Sequence, residues 1–355
     1  MNAIGGLRTL LLVIGAMGVL PNVASAQAQG KNFAGESVTM LIGFAAGGGT
    51  DASGRLIANF LGKHLPGQPS MVVRNMPGAD GMASMNYMVQ QTKPDGLTVT
   101  MGSASQADPL NYRKANAQYD PSKFKIVGGV GRGGLVTLIN TGVEQRLTDK
   151  SASPVIMGSN SAIPRDGMQV TMWGIEFLGW NAKWVVGYPG TNDVMLALER
   201  GEVEMSSTGN LFLIKKLVGG GQFRIVTQTG ALSNGKIVGR PDFGDAPLFS
   251  DMMAGKISDP TDQKAFAYWR SLNSVDKWIA LAPGTPDDIV AVYRDAFRKI
   301  SADPAFVAQG TKISEGFFPM TDADVEGLLV TLAATPPEAL ERTKSFMRKQ
   351  GLRVE

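Results

Sequence analysis

Few residues in this chain have the chemistry for catalysis. Histidine occurs once, as His64, and cysteine not at all. That excludes disulfides, thiolate nucleophiles, cysteine-ligated metals and a two-histidine metal site within one chain. A Ser-His-Asp triad would have to use His64. It stands in Lys63-His-Leu-Pro-Gly-Gln-Pro69, where a helix ends and a turn begins. A favourable charge at a helix C-terminus is the simpler role there. The remaining candidates are carboxylates: Asp51, Asp80, Asp95, Asp108, Asp166 and Asp193. Paired carboxylates can hydrolyse glycosides, but each of these sits where a cap or turn residue is wanted. No spacing brings two together, and no catalytic residue is assigned. The one enzyme reading kept as an alternative is a secreted hydrolase with Asp51 as base.

Asp51 closes the most informative stretch. Val38–Phe44 is an apolar run that flows into Ala45-Ala-Gly-Gly-Gly-Thr-Asp51 and then into a helical pattern. The run reads as a buried parallel strand. Thr50 or Asp51 is expected to cap the helix. The glycines leave backbone N–H groups bare at the positive end of that helix, which suits an anion. A nucleotide is excluded on two counts. A P-loop needs Gly-Lys-Ser/Thr after its glycines, and here Thr50-Asp51 follows Gly49. A dinucleotide fold needs Gly-x-Gly-x-x-Gly and an acid ending the second strand, but that strand ends in Arg74-Asn75.

The elements that must position this loop follow from the rest of the chain. Arg8, the apolar run Leu10–Leu20 and Ala24-Ser-Ala26 form the pattern of a secretory signal peptide ending at Ala26. Removing it leaves 355 − 26 = 329 residues with net charge 33 − 31 = +2, since it holds one Arg and no Lys or acid. So mild a charge argues against nucleic acid. The length suits about two domains. Strand and helix alternate through Val38–Phe44, 51–65, Met71–Arg74, 80–92 and Leu97–Met101, and again through Val155–Met157, 165–178, Lys183–Val186, 191–200, Val203–Met205, 210–218 and Phe223–Thr227. This rhythm predicts parallel sheets with right-handed crossovers. Phe124–Gly134, with five glycines, reads as a flexible crossing between two halves, and the return crossing is placed near Trp278–Pro286. Helices are expected over 287–300, 322–334 and 337–349. Residues 240–275 show little periodicity. Trp173, Trp180, Trp184 and Trp269 read as core.

Ligands of open α/β sheets sit beyond the carboxyl ends of the strands. Here those ends are Ala45–Asp51, Met76–Gly81, Gly102–Gln106, Gly158–Ser161, Gly187–Thr191 and Ser206–Asn210. They are rich in Gly, Ser, Thr and Asn and carry no Lys. Such loops suit reversible capture of a carboxylate by N–H and O–H groups.

These segments, in order, resemble the Bug family of periplasmic binding proteins, the solute receptors of tripartite tricarboxylate transporters. The matching residues are Val38–Phe44 with Ala46-Gly-Gly-Gly-Thr-Asp51, Gly67-Gln-Pro69, Val72-Val-Arg-Asn75 and Pro77-Gly-Ala79. They continue with Lys93-Pro-Asp-Gly96, Tyr119-Asp-Pro121, Gly187-Tyr-Pro-Gly190, Leu198-Glu-Arg-Gly-Glu-Val203 and Ala282-Pro-Gly-Thr-Pro286. The resemblance implies a type II periplasmic-binding-protein-like fold, two doubly wound α/β domains around a ligand cleft. It divides the chain into 27–132 with 276–355 and 133–275. It implies a monomeric periplasmic receptor without cofactor or metal that binds a small organic carboxylate and serves membrane transporter subunits. A sensory module with the same cleft is a further alternative. The cleft would be lined by Phe44, Gly48, Gly49, Asp51, Ser103 and Ala104 from one domain. From the other would come Ser159, Asn160, Ser161, Tyr188, Pro189, Gly190 and Thr191. Asp80 stands where the family has Gly, so it either caps a helix or repels an anion. The second-domain loop Gly158–Arg165 lacks the family's downstream His.

Overall fold

The computed structural model describes residues 30–159, 164, 166–188, 191–233, 235–314 and 316–354. The expected signal peptide, with Asn160, Ser161, Pro189 and Gly190, lies outside the described residues. The first half of the chain runs β1 (Ser37–Ile42), α1 (Gly49–His64), β2 (Ser70–Asn75), α2 (Met82–Gln90) and β3 (Thr98–Ser103). The short helices α3 (Ala104–Ala107) and α4 (Pro109–Tyr112) lead to β4 (Lys125–Gly131). The chain then enters a second sheet with β5 (Val136–Asn140), β6 (Val155–Ser159), α5 (Gln169–Phe177), β7 (Ala182–Val186) and α6 (Thr191–Glu199). β8 (Met205–Thr208), α7 (Leu211–Gly219) and β9 (Phe223–Gln228) complete it. A hairpin, β10 (Ala231–Ser233) and β11 (Lys236–Val238), then α8 (Phe249–Met252) and α9 (Pro260–Ser274), bring the chain back. The last elements are β12 (Lys277–Leu281), α10 (Asp287–Ser301), α11 (Pro304–Ile313), β13 (Phe318–Met320), α12 (Asp322–Ala333) and α13 (Pro337–Lys349).

Among the described residues the first sheet has the order β13-β4-β12-β3-β1-β2 and the second β7-β6-β8-β5-β9. β1, β2 and β3 are parallel, with Met40 opposite Val73 and Val99. β12 runs antiparallel to β3 and β4. In the second sheet β6 is parallel to β7 and β8, while β5 runs antiparallel to β8 and β9. This is the two-sheet α/β architecture expected from the alternating strands and helices, but both sheets are mixed rather than parallel, because β12 and β13 in the first and β5 in the second enter antiparallel.

Both faces of each sheet are covered, which is why the strands read as continuous apolar runs. Side chains alternate along a strand. Met40, Ile42, Ile279 and Leu281 therefore pack with Ile57 and Phe297 on one face, and Leu41, Trp278 and Ala280 with Met85 and Leu329 on the other. In the second sheet Ile139, Met157 and Met205 face Trp173, Phe266 and Trp269, while Val136 and Leu138 face Val194, Leu198 and Ile214. Trp173, Trp180 and Trp269 are buried core residues, as expected. Ala339, Phe346 and Met347 of α13 join the second sheet's core, a long-range docking that strand-and-helix rhythm does not disclose.

Three expectations need correction. Phe124–Gly134 is not a flexible crossing over most of its length, because β4 lies inside the first sheet. Its glycines are packing sites. A Cβ at Gly128 would meet the Phe297 ring at 2.3 Å, one at Gly129 the Lys277 carbonyl at 2.7 Å, and one at Gly131 the Phe318 ring at 2.4 Å. The return crossing is complete before Trp278, which is buried in the sheet. Residues 240–275 contain α9, whose Tyr268 packs in one core while Ala265, Phe266 and Trp269 pack in another. A helix shared by two cores shows no single apolar stripe.

Candidate functional site

The glycine loop after β1 is exposed from Ala45 to Gly49, with Phe44 half-buried. Helix α1 begins at Gly49 with Gly48 as N-cap, and no side chain caps it. The expectation that Thr50 or Asp51 would do so is corrected. Asp51 lies one turn too far in and folds back instead. Its Oδ2 accepts from the Gly47 N–H at 2.8 Å and from Arg55 Nε at 2.9 Å, and its Oδ1 accepts from Asn75 Nδ2 at 2.9 Å. Asn75 Nδ2 also donates to the Phe44 carbonyl at 2.9 Å, and Arg55 Nη2 donates to Asn75 Oδ1 at 3.1 Å. Asp51 is 3% exposed. Burial alone would raise its pKa, but bonds from Arg55, Gly47 and Asn75 outweigh it and hold the carboxyl down at about 2. Expected to line the cleft, the Asp51 side chain is an anionic strut beneath the loop.

The strut leaves the helix end itself open. The first N–H groups of a helix have no partner within it, and they sum to a partial positive charge. A Cβ added at Gly49 would meet nothing within 4 Å, and one at Gly48 only the Ala45 carbonyl at 3.8 Å. These two glycines therefore fill no packing role, unlike those of β4. What they leave is unobstructed access to backbone donors.

Ser103 ends β3, next to β1 in the sheet, and Ala104 opens α3. Ser103 Oγ lies 2.9 Å from Ser105 Oγ, and the Ser103 carbonyl accepts from Trp278 Nε1 at 3.0 Å. The Ala104 N–H donates to the Asp276 carbonyl at 3.0 Å. Gln106 joins the three strand-end loops. Its Oε1 accepts from the Ser103 N–H at 2.9 Å, and its Nε2 donates to the Gly81 carbonyl at 3.0 Å. It fits only because Gly43 and Gly81 lack side chains, since a Cβ at either would meet it at 2.8 and 2.6 Å. Ser103-Ala-Ser-Gln106 has the spacing of a capping box, which forms here, but the reach of Gln106 to Gly81, 25 residues upstream on another loop, has no local signal.

Asp80 sits on that neighbouring loop with φ 55°, and its carbonyl accepts from Ser105 Oγ at 3.3 Å. Its carboxylate is exposed and does not cap α2, whose N-cap is Gly81. Asp80 thus places a negative charge on the rim.

Sequence reasoning missed the cluster where the chain crosses between the sheets. Because β12 runs antiparallel, its first residue Lys277 arrives beside Ser103 at the carboxyl end of β3. Asp276 Oδ1 accepts from Arg132 Nη2 at 2.7 Å and from Lys277 Nζ at 2.5 Å. Burial opposes the charge on Asp276, but Lys277 and Arg132 together lower its pKa. A cavity of about 80 Å³ opens here, lined by Ala104, Arg132, Gly133, Gly230, Asn273 and Asp276 among others.

In the second sheet Ser159 is buried at the end of β6, and its carbonyl accepts from the Gly187 and Tyr188 N–H groups at 3.0 and 3.3 Å. Tyr188 is half-buried and Thr191 opens α6. The expected residues thus fall into two groups. Phe44, Gly48, Gly49, Asp51, Ser103 and Ala104 share one sheet edge, and Ser159, Tyr188 and Thr191 share another. Among the described residues no cluster of three His, Asp or Glu side chains could hold a metal ion, and no helix is long and apolar enough to cross a membrane.

No family model matches the chain. A stretch of 74 residues is 43% identical to the UPF0065 protein in the gbd 5′ region of Cupriavidus necator, covering 21% of this chain and 22% of that protein. The chain therefore matches about a fifth of that curated relative's length. Among solved structures, a TctC solute-binding protein from Polaromonas without ligand superposes with a TM-score of 0.65 at 17% identity, covering 88% of this chain and 98% of that one. R. palustris Rpa4515 with adipate superposes with a TM-score of 0.53 at 20% identity, covering 89% and 97%. The chain has the fold of these solute-binding proteins.

Proposed function

We propose that this chain is a periplasmic solute receptor of the tripartite tricarboxylate transporter type. It binds a small carboxylate-bearing compound between its two α/β units and presents it to membrane transporter subunits. The observation that carries this reading is the open N-terminus of α1. Its donors are uncapped, its glycines are unpacked, and a buried Asp51 holds the loop from beneath. The name of the Polaromonas neighbour and the adipate in the R. palustris neighbour support it, as does the secretion pattern of residues 1–26.

The energetics are adequate. Hydrogen bonds to a charged group contribute about 1.5–3 kcal/mol each, and a helix terminus about 0.3–1 kcal/mol. Micromolar affinity needs about 8 kcal/mol net, after association costs of several kcal/mol. Four or five bonds with some apolar contact reach it. In this proposal 27–132 and 276 onward build the first unit around the first sheet, with α13 docked on the second. Residues 133–275 build the second unit. Closure brings Ser159, Asn160, Ser161 and Tyr188–Thr191 onto a ligand already held by Gly48, Gly49 and Ser103–Ala104.

The hydrolase alternative is disfavoured by Asp51 itself. A carboxylate held at about 2 with both oxygens engaged is a poor base near neutral pH. Thermal melts of the chain from residue 27, with carboxylates, neutral sugars and cations, test the proposal. Stabilisation by at least one carboxylate without turnover is expected. Stabilisation by a sugar or a cation alone would overturn it.

A further inference from the structure

We propose that the ligand carries an ammonium group as well as its carboxylate, and that Asp80 is the specificity-determining residue that receives it. The proposal rests on the receptor reading above.

Asp80 differs from Asp51, Asp95 and Asp108. Asp51 accepts from Gly47, Arg55 and Asn75, and Asp95 from the Leu97 N–H at 2.9 Å. Asp108 accepts from the Leu110 N–H at 2.9 Å and from the Tyr268 hydroxyl at 3.0 Å. Each of these three is engaged by the protein's own donors. Among the described residues the exposed Asp80 carboxylate has no such donor and no ion pair.

Its place gives it an occupant. The loop that carries it, Met76–Gly81, is tied at both ends to the root of the glycine loop. At its start the Met76 N–H donates to the Ile42 carbonyl at 2.8 Å, and Asn75 Nδ2 reaches both the Phe44 carbonyl and Asp51 Oδ1 at 2.9 Å. At its end Gly81 backs onto Gly43, where an added Cβ would come within 3.0 Å of the Gly81 Cα. The Asp80 carbonyl accepts from Ser105 Oγ at 3.3 Å, and Ser105 Oγ lies 2.9 Å from Ser103 Oγ. Asp80 thus stands on the edge that holds the glycine loop and Ser103. Ala79 and Asp80 are both left-handed, with φ 48° and 55°. Ala79 has no polar side chain to offset that strain, and such strain persists where the surroundings fix the backbone. The free carboxylate is therefore carried on a fixed turn.

A negative charge at this edge works against a ligand whose charge is purely negative. It favours one whose carboxylate, held at the α1 terminus, is accompanied by a cation. An ammonium group brings three donors, and Asp80 with the half-buried Ser105 hydroxyl supplies acceptors for them. In open solvent such a pair contributes little. Closure of the second unit over the ligand excludes water and leaves a hydrogen bond between two charged groups, which is stronger.

Titration calorimetry with acids that share a carbon skeleton tests this: hexanoate against 2-aminohexanoate and 6-aminohexanoate, and glutarate against glutamate. In at least one set the amino acid is expected to bind at least about tenfold tighter than the plain acid. Asp80→Asn removes the charge and keeps a residue that tolerates left-handed backbone. It is expected to weaken that amino acid about tenfold and to strengthen the plain acid up to about threefold, while Asp80→Glu retains the preference for the amino acid. Effects of opposite sign on the two ligands are the signature, since a merely structural role would weaken both. Plain acids that bind as tightly as their amino counterparts in every set would overturn the proposal. So would an Asp80→Asn that weakens both ligands alike or neither. The comparison on the parent protein alone decides the proposal if a variant does not fold. If none of the five compounds binds, the proposal fails, whereas stabilisation by any other carboxylate would leave the receptor reading standing.

Discussion

Replacing Asp51 with Asn removes the charge on which the glycine loop rests. At pH 7 the native carboxyl is ionised in both folded and unfolded chains. Its lowering from 3.8 to about 2 is therefore a gain of the folded state, worth about 2 kcal/mol. Arg55 is the largest of the lowering influences, but it is 50% exposed, so its share is discounted for solvent screening. The Gly47 and Asn75 donors lie against a nearly buried oxygen and retain more. The sign follows from the direction of the shift. A depressed carboxyl stabilises above its unfolded value near 4, and that stability fades as the pH falls through the folded value near 2. Urea unfolding followed by tryptophan fluorescence should show Asp51→Asn less stable by about 2 kcal/mol at pH 7, with the gap roughly halved at pH 3. The variant should also lose carboxylate affinity, since the Gly47 N–H loses its charged acceptor. Equal stability at pH 7, or a gap unchanged at pH 3, would refute the strut.

Gly49→Ala meets no neighbour within 4 Å and should leave stability unchanged or raise it by up to about 1 kcal/mol. It should weaken carboxylate binding at least about tenfold, because the methyl group stands where the ligand approaches. Binding equal to the parent by calorimetry would show that the loop is only a capped turn. Gly129→Ala should destabilise by about 1–3 kcal/mol in urea, since its Cβ would sit 2.7 Å from the Lys277 carbonyl and 2.8 Å from Val325. A neutral result would return Phe124–Gly134 to the flexible crossing that its composition suggested.

The sequence disclosed elements whose signals are local. Helix α10 was readable because Ile289, Tyr293, Phe297 and Ile300 recur at helical spacing behind Pro286 and two acids. β1 and its glycine loop were readable because an apolar run ends abruptly in three glycines. What stayed hidden depends on partners far along the chain. The β4 glycines resemble flexibility until Phe297, Lys277 and Phe318 are seen against them. Asp51 resembles a cap until Asn75 arrives from β2. Lys277 escaped a search of strand-end loops because an antiparallel strand brings its amino end to that edge, and Arg132 escaped it because the strand it follows reads as a flexible crossing.

The central claim is that the α1 terminus holds a carboxylate through backbone donors. Amide chemical shifts of ¹⁵N-labelled protein, followed while the best-stabilising carboxylate is titrated, address it directly. The account predicts saturable shifts for Gly48, Gly49 and Thr50, larger than those of any other amide of the first sheet's loops. Binding that leaves these three amides unmoved would contradict it.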